Sequence, residues 1–426
     1  MAARCAGAIF ERRKMNMKKK VLVSFISAAM AAALLTGCGG TGSSTASSRD
    51  TEKTESTESI AVESTSGTDV SGGSEDGFEE EAASELPAQF EGLTADSAYD
   101  FPVIVKSFQS TYWQAALQGM DKAASELGVT FKAQGPEAES DIADQINMLN
   151  KSISSRPSGI ALASCDTTSV IPSLQDCADQ KIPVVAFDTG VAEAPDGSIV
   201  CTIATDNGAA GATAADHMYE AIKDVIAGSD HTVRIGVINQ DATALNIQQR
   251  GLGFINEMVK LIQGDGKTVC VEGHEFYVTA AEGADQGKTD VVIEVAVPAQ
   301  TTVELSATEA QTILSKEDTI AIFGSNQITA EGVLAANDTL AVLGSDAENG
   351  DVIGVGFDAG SKIKAAVEDG TFYGAVTQSP LMMGYYTIYA LTAAANGATL
   401  EDVPTNGYWY DAENMNDDTI APNLYD

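Results

Sequence analysis

Gln109, Ser110, Thr111, Tyr112 and Trp113 follow one short apolar run of this 426-residue chain. Asp188 and Thr189 follow the run at 184–187, Ser325 and Asn326 that at 320–324, Asp358 that at 352–357, and Gln378 that at 373–377. Arg250 stands inside the helical stretch after 233–238. Carboxylates, amides and a guanidinium offer acceptors and donors in fixed directions. Charge-assisted hydrogen bonds from Asp and Arg suit sugar hydroxyls, and an aromatic face packs on the C–H side of a sugar ring. Each residue alone has a plainer role: Asp188 or Asp358 as a cap, Trp113 as core, Arg250 as a surface ion pair. Their joint position after strands is what favours binding.

Other chemistries find less support. The chain has 3 histidines and neither G-x-S-x-G nor H-E-x-x-H. Asp188 and Asp358 as the acid pair of an envelope glycoside hydrolase is the remaining enzymatic reading, and a non-enzyme is expected. Asp346, Glu348 and Asp351 lack EF-hand spacing, so no metal is expected. The stretch 283–289 is one residue short of a P-loop, and the glycine pattern at 37–42 lies outside any strand-to-helix turn. No cofactor is expected.

The elements that would position these residues alternate. Strands are expected at 102–108, 129–133, 159–163, 183–187 and 199–204, with helices at 112–127, 141–154, 170–179 and 209–227. A second series has strands at 233–238, 268–272, 320–324, 352–357 and 373–377, and helices at 244–261, 303–315, 329–336, 361–368 and 381–395. Short β-branched runs between amphipathic helices imply an α/β fold of parallel sheets covered on both faces. About 325 residues exceed one comfortable core, so two doubly wound domains are expected. Ligands of such sheets sit beyond the carboxyl ends of the strands. Two insertions stand out: 273–299, read as an extra strand pair at 275–279 and 291–297, and 337–351, a Gly/Asp/Asn-rich loop. They are peripheral elaborations or a docking surface.

Acidic residues number 61 against 24 basic, a formal charge of −37. That disfavours nucleic acid, which needs Lys and Arg to displace counterions. Cys165, Cys177, Cys201 and Cys270 show no metal spacing and are free thiols or include one disulfide. Lys18, Lys19 and Lys20, an apolar run at 21–35, and Leu35, Thr36, Gly37 and Cys38 form an export signal. It resembles the lipobox of bacterial lipoproteins. The resemblance implies removal of 17–37, lipidation of Cys38 and an extracytoplasmic, membrane-anchored protein. Residues 1–16 do not fit this signal and are expected to be a start-site miscall. The Ser/Thr/Gly/Glu-rich stretch 38–98 reads as a disordered tether, with a reach of roughly 40–45 Å.

From about residue 101 the chain resembles the type I periplasmic-type binding proteins of the ribose-binding class. The similarity is carried by Phe108-Gln-Ser-Thr-Tyr-Trp113, Ile182-Pro183-Val-Val-Ala-Phe-Asp188, Thr205-Asp206-Asn207, Gln249-Arg250-Gly-Leu-Gly-Phe254, Gly324-Ser-Asn326, Val355-Gly-Phe-Asp358 and Thr377-Gln378-Ser-Pro380. It implies two lobes, 101–206 with 379–405 and 207–378 with 406–426, joined by three crossovers near 205–208, 377–379 and 404–406. Asp206, Asn207, Gln378 and Ser379 would be hinge residues. Asp188, Arg250, Asn326, Asp358 and Gln378 would hydrogen-bond a sugar, with Ser110 beside them and Tyr112 and Trp113 on its ring. Ser110 stands where asparagine is usual and Thr189 where an arginine follows the aspartate, which leaves a pentose, a hexose or another polyol open. The family implies a monomer serving a membrane permease with a cytoplasmic ATPase; presentation to a receptor kinase is the alternative. On this reading Asp188→Ala or Asp358→Ala removes bonds of about 1.5–3 kcal/mol, weakening ligand binding at least tenfold with little loss of fold.

Overall fold

The computed structural model describes residues 61–62 and 86–426. The expected export signal, Cys38, residues 1–16 and most of the expected tether lie outside the described residues. One sheet contains β1 (Ala61–Val62), β2 (Asp100–Ile104), β3 (Thr130–Gln134), β4 (Ile160–Leu162), β5 (Val184–Phe187) and β6 (Ile199–Thr205). The other contains β7 (Val233–Ile238), β8 (Val269–Gly273), β9 (Val291–Ala296), β10 (Thr319–Gly324), β11 (Leu343–Gly344), β12 (Val352–Phe357) and β13 (Gly374–Thr377). Late in the chain β14 (Val403–Thr405) joins the first sheet and β15 (Tyr408–Tyr410) the second.

The strand orders are β1-β3-β2-β4-β5-β6-β14 and β15-β13-β12-β10-β7-β9-β8, with β11 beside β12. Pairing is parallel except where β1 meets β3 and β15 meets β13. β5, β10 and β12 are buried along their whole length, as strands must be when helices cover both faces.

Helices α1 (Thr111–Leu127), α2 (Ile142–Ser154), α3 (Ile171–Gln180), α4 (Asn207–Gly228) and α5 (Leu245–Gly264) fill the crossovers, followed by α6 (Glu275–Ala280), α7 (Val303–Leu314), α8 (Gln327–Leu340), α9 (Ser361–Glu368) and α10 (Pro380–Ala395). Local chemistry sets the ends of α1. The Ser110 side chain accepts the Tyr112 N–H, and Gly128 closes the helix at φ 67°. α1 packs tightly on α10, because a Cβ on Gly119 would overlap the carbonyl of Leu381. The chain passes between the sheets at Asp206, between β13 and α10 at Gln378 and Ser379, and between β14 and β15 at Asn406 and Gly407.

Three expectations need correction. Residues 275–279 are helical, not a strand. Their aromatic and β-branched composition reads as β, but only Tyr277 is fully buried, Phe276 is half-buried and Val278 is 40% exposed; tertiary context overrides such propensity. The insertion therefore contains one strand, β9, which lies between β7 and β8. The 337–351 loop is shorter than expected. α8 runs to Leu340, and the Asn337 side chain accepts the N–H groups of Val342 and Leu343 at 2.9 Å.

The folded part also begins before residue 99. Phe90 is fully buried against Tyr386 and Tyr389, with ring centroids 6.5 and 6.0 Å away. Gln89 exchanges hydrogen bonds with the backbone of Glu401 at 3.0 and 2.9 Å. One aromatic side chain in a polar stretch anchors it, a signal that average composition hides. Cys165, Cys177, Cys201 and Cys270 are free thiols.

Phe90→Ala in the full chain should cost about 3–5 kcal/mol. Denaturant unfolding checks this; an unchanged midpoint would mean that the 86–98 segment adds nothing to stability.

Candidate functional site

The chemistry converges where the carboxyl ends of both sheets face each other. Lys106, Ser110, Tyr112, Trp113, Glu139, Asp188, Asn246, Ile247, Arg250, Asn326, Asp358 and Gln378 line one cleft. Every ligand residue expected from sequence is in this set. Asp188 and Asp358 reach it in the same way. Each follows a fully buried strand, takes positive φ (60° and 73°), and donates its N–H to the next strand, to Ile203 at 2.9 Å and Val376 at 2.7 Å. Non-glycine residues adopt this backbone at a cost of about 1–3 kcal/mol, and such strain gathers at functional sites. Here it turns both carboxylates off the strand ends into the cleft.

On the first lobe, Asp188 is saturated with donors. It accepts from Tyr112 Oη at 2.8 Å, Thr189 Oγ1 at 2.9 Å and Asn246 Nδ2 at 3.0 Å, and pairs with Lys106 Nζ at 3.0 Å. Trp113 packs edge-on against Tyr112 and Phe187, and its indole N–H donates to Glu139 at 3.0 Å. Trp113 is thus both core and cleft wall.

On the second lobe, Arg250 is fully buried rather than a surface ion pair. A Cβ on Gly211 would strike the Arg250 carbonyl, so α4 and α5 meet closely there and fix the side chain's origin. The guanidinium lies 3.6 Å from the Phe357 ring centre and donates to Asn207 Oδ1 at 2.7 and 3.1 Å and to the Ser325 carbonyl at 2.9 Å. Asp358 accepts from Gln378 Nε2 at 2.7 Å and the Gln327 N–H at 3.0 Å, which leaves each oxygen a further lone pair. Asn326 caps α8. Of the expected hinge residues, Asp206 caps α4, Asn207 holds Arg250, Gln378 accepts from Thr205 at 2.8 Å, and Ser379 starts α10.

Polar bonds cross the cleft between the lobes. Lys106 donates to Asn246 at 2.9 Å, Ser110 to Gln327 at 2.6 Å and Gln240 to Glu139 at 2.7 Å. The free space between these groups is about 20 Å³, room for a water or two rather than a sugar ring. Anything larger must part the lobes and exchange its own bonds for these. A wider hollow of about 540 Å³ lies beside α4 and α5. Of its three charged residues, Glu257 and Lys260 bind each other at 2.7 Å and the third, Glu282, is exposed.

Lys106, Glu139 and Asn246 escaped the sequence reading. Lys106 ends an apolar run, three residues before the stretch that drew attention. Asn246 is one helical turn before Arg250, a spacing that puts both on one face. Glu139 sits in Gly-Pro-Glu-Ala-Glu-Ser, which reads as a solvated loop and carries no local signal.

Burial pushes the Asp188 carboxyl up, but Lys106, the Tyr112 hydroxyl and Arg250 outweigh it and hold the group below the usual carboxylate range. Burial pushes the Lys106 ammonium down, while Asp188, Glu139 and Asp241 hold it above its ordinary value. Glu139 and Asp358 are raised by burial, which their neutral donors and nearby cations offset only in part.

The fold and cleft define a two-lobe α/β binding protein whose site forms between lobes. Residues 101–399 match the periplasmic binding protein domain family, and the chain belongs to that family, in its type I sugar-binding form. These are non-enzymatic, extracytoplasmic solute-binding proteins of ABC transporters. The chain is 25% identical over 298 residues to the ribose import binding protein RbsB of Haemophilus influenzae, covering 70% of this chain and 86% of that one. A solved carbohydrate transporter solute-binding protein from Agrobacterium radiobacter, in complex with D-arabinose, is similar at 25% identity and TM-score 0.63, over 78% of this chain and 100% of that one. An ABC transporter protein of Brachyspira murdochii, described as a LacI family transcriptional regulator, is similar at 29% identity and TM-score 0.63, over 77% and 99%. Among the described residues no helix is long and apolar enough to cross a membrane.

The expectation of little loss of fold does not suit Asp188. Asp188→Ala leaves the buried Lys106 ammonium without its counter-ion, at about 3–5 kcal/mol; chemical unfolding measures it, and a wild-type midpoint would refute it. The pair's stabilisation is present above about pH 4 and is lost as pH falls through the depressed Asp188 value. Glu139 and Asp358 act oppositely. Their raised native values mean that the folded state binds protons first, so their contribution to stability improves as pH falls from neutrality toward about 5. Thermal unfolding of Glu139→Gln at both pH values should show a flatter slope than wild type; equal slopes would mean that Glu139 is unperturbed.

Proposed function

We propose that this protein captures a small sugar (a pentose, hexose or related polyol) between its two lobes outside the cytoplasm and hands it to an ABC permease. The observation that carries the reading is the ring of buried donors and acceptors that both lobes contribute to one cleft. Asp358 has spare acceptor sites beside Arg250 and Gln378, while Tyr112 and Trp113 supply aromatic wall. Asp188, Asn326 and Ser110 complete the set of ligand contacts. Replacing cross-cleft bonds with ligand bonds gives the sugar contacts to both lobes, which is the condition for a ligand to favour closure. Asp206, Asn207, Gln378 and Ser379 lie on the connecting segments that would bend. Lipidation of Cys38 would tether a monomer to the cell membrane, consistent with the lipobox-like sequence. Ser110 and Thr189 depart from the ribose pattern and leave the choice among ribose, another pentose, a hexose and a polyol open.

The test is thermal unfolding of the full chain against monosaccharides, polyols and short peptides. A ligand at about 100 times its dissociation constant stabilises by about 2.7 kcal/mol, a shift of several degrees. Asp358→Asn should weaken binding of that sugar at least tenfold while keeping the fold. A shift produced only by a peptide or amino acid would keep the fold and overturn the carbohydrate reading.

A further inference from the structure

Five charged side chains face this cleft from positions at least nine-tenths out of water: Lys106 and Arg250 at 1% exposure, Asp188 and Asp358 at 4%, and Glu139 at 8%. Three are acids and two are bases. Lys106 is committed to Asp188 at 3.0 Å. Arg250 is held by an amide oxygen, a carbonyl and an aromatic face. The two Glu139 oxygens take only neutral donors, Trp113 Nε1 at 3.0 Å and Gln240 Nε2 at 2.7 Å. Gln240 is fully buried on the opposite lobe and in turn binds Asn326. The Gln240–Asn326 bond lies within one lobe, but the Gln240–Glu139 bond exists only while the lobes touch. When they part, Gln240 leaves with its lobe, and Glu139 keeps the Trp113 indole while exposing one oxygen toward the cleft.

We propose that Glu139 forms an additional subsite that receives a hydroxyl or ammonium donor of the ligand, and that it restricts the cleft to sugars without negative charge. The inference rests on the sugar-binding reading above and adds the ligand's charge class to it. A carboxylate on the ligand would meet an excess of buried acid, in a setting where like charges repel far more strongly than in water. A hydroxyl replaces the Gln240 N–H one for one. An ammonium does the same and neutralises the site. Glu139 also orients the Trp113 ring through the indole N–H, so the residue that reads charge positions the wall against which the ring packs.

The experiment compares thermal unfolding and calorimetric titration of the full chain with neutral pentoses and hexoses, the matching 2-amino sugars and the matching uronic acids. Wild type should bind a neutral or amino sugar at least about tenfold more tightly than the corresponding uronic acid. Glu139→Gln, which preserves shape and the indole bond, should narrow that gap to about threefold or less and abolish any gain from the amine. Glu139→Asp keeps the charge but shortens the reach to Trp113. It should lower affinity for the neutral sugar while still rejecting the acid, which separates charge from positioning. A uronic acid bound by wild type as tightly as its neutral parent overturns the proposal and leaves the sugar reading standing, as does a gap that Glu139→Gln does not change. Absence of binding by any carbohydrate removes both.

Discussion

The ion pair of Lys106 and Asp188 is buried at the meeting of the two sheets, and the surrounding structure answers to it. An isolated charge in that position would cost several kcal/mol, so each member must be matched by polar partners. Tyr112, Thr189 and Lys106 come from the same lobe, while Asn246 reaches across from the other. The requirement that buried charge be satisfied therefore also joins the lobes.

The second sheet meets the same constraint by a different route. Arg250 has no carboxylate in contact; its guanidinium is spread over Asn207, the Ser325 carbonyl and the Phe357 ring. Asp358 leans on amide donors. These arrangements leave hydrogen-bonding capacity over, where Asp188 has little. The cleft is therefore asymmetric. One pole is a closed ionic knot and the other a set of groups ready for further partners. A ligand that binds both poles must be a better partner for the second and a tolerable substitute for Asn246 and Gln240 at the first.

Repetition of architecture underlies this. Both lobes are parallel sheets whose carboxyl ends point at one another, and in each an aspartate turns out of line by adopting positive φ after a buried strand. In the C-terminal lobe β9, within the expected insertion, pairs with β7 as β3 pairs with β2, and β8 lies parallel outside it. Both lie across β7 from β10 and β12, the strands that deliver Asn326 and Asp358, and leave the cleft undisturbed.

Alternating apolar runs and amphipathic stretches determined the α/β class and most helices, because burial on both faces of a parallel sheet demands that pattern locally, while the expectation of two lobes came from length. The residues just after strands were legible for the same reason: a parallel sheet sends them to one edge whatever the rest of the chain does. The sequence pattern failed where the outcome depended on distant partners. Residues 275–279 read as a strand until Tyr277 found its place beside Asn239 and Asp241. Phe90 read as part of a tether until the tyrosines of α10 covered it. Glu139 was a loop acid like many others. Only the approach of the second lobe, which brings Gln240 to one oxygen while Trp113 holds the other, takes it out of water and gives it a role. Charge in a sequence is a composition; whether a given charge is solvated or buried, paired or poised, is decided by which surfaces the fold presses together.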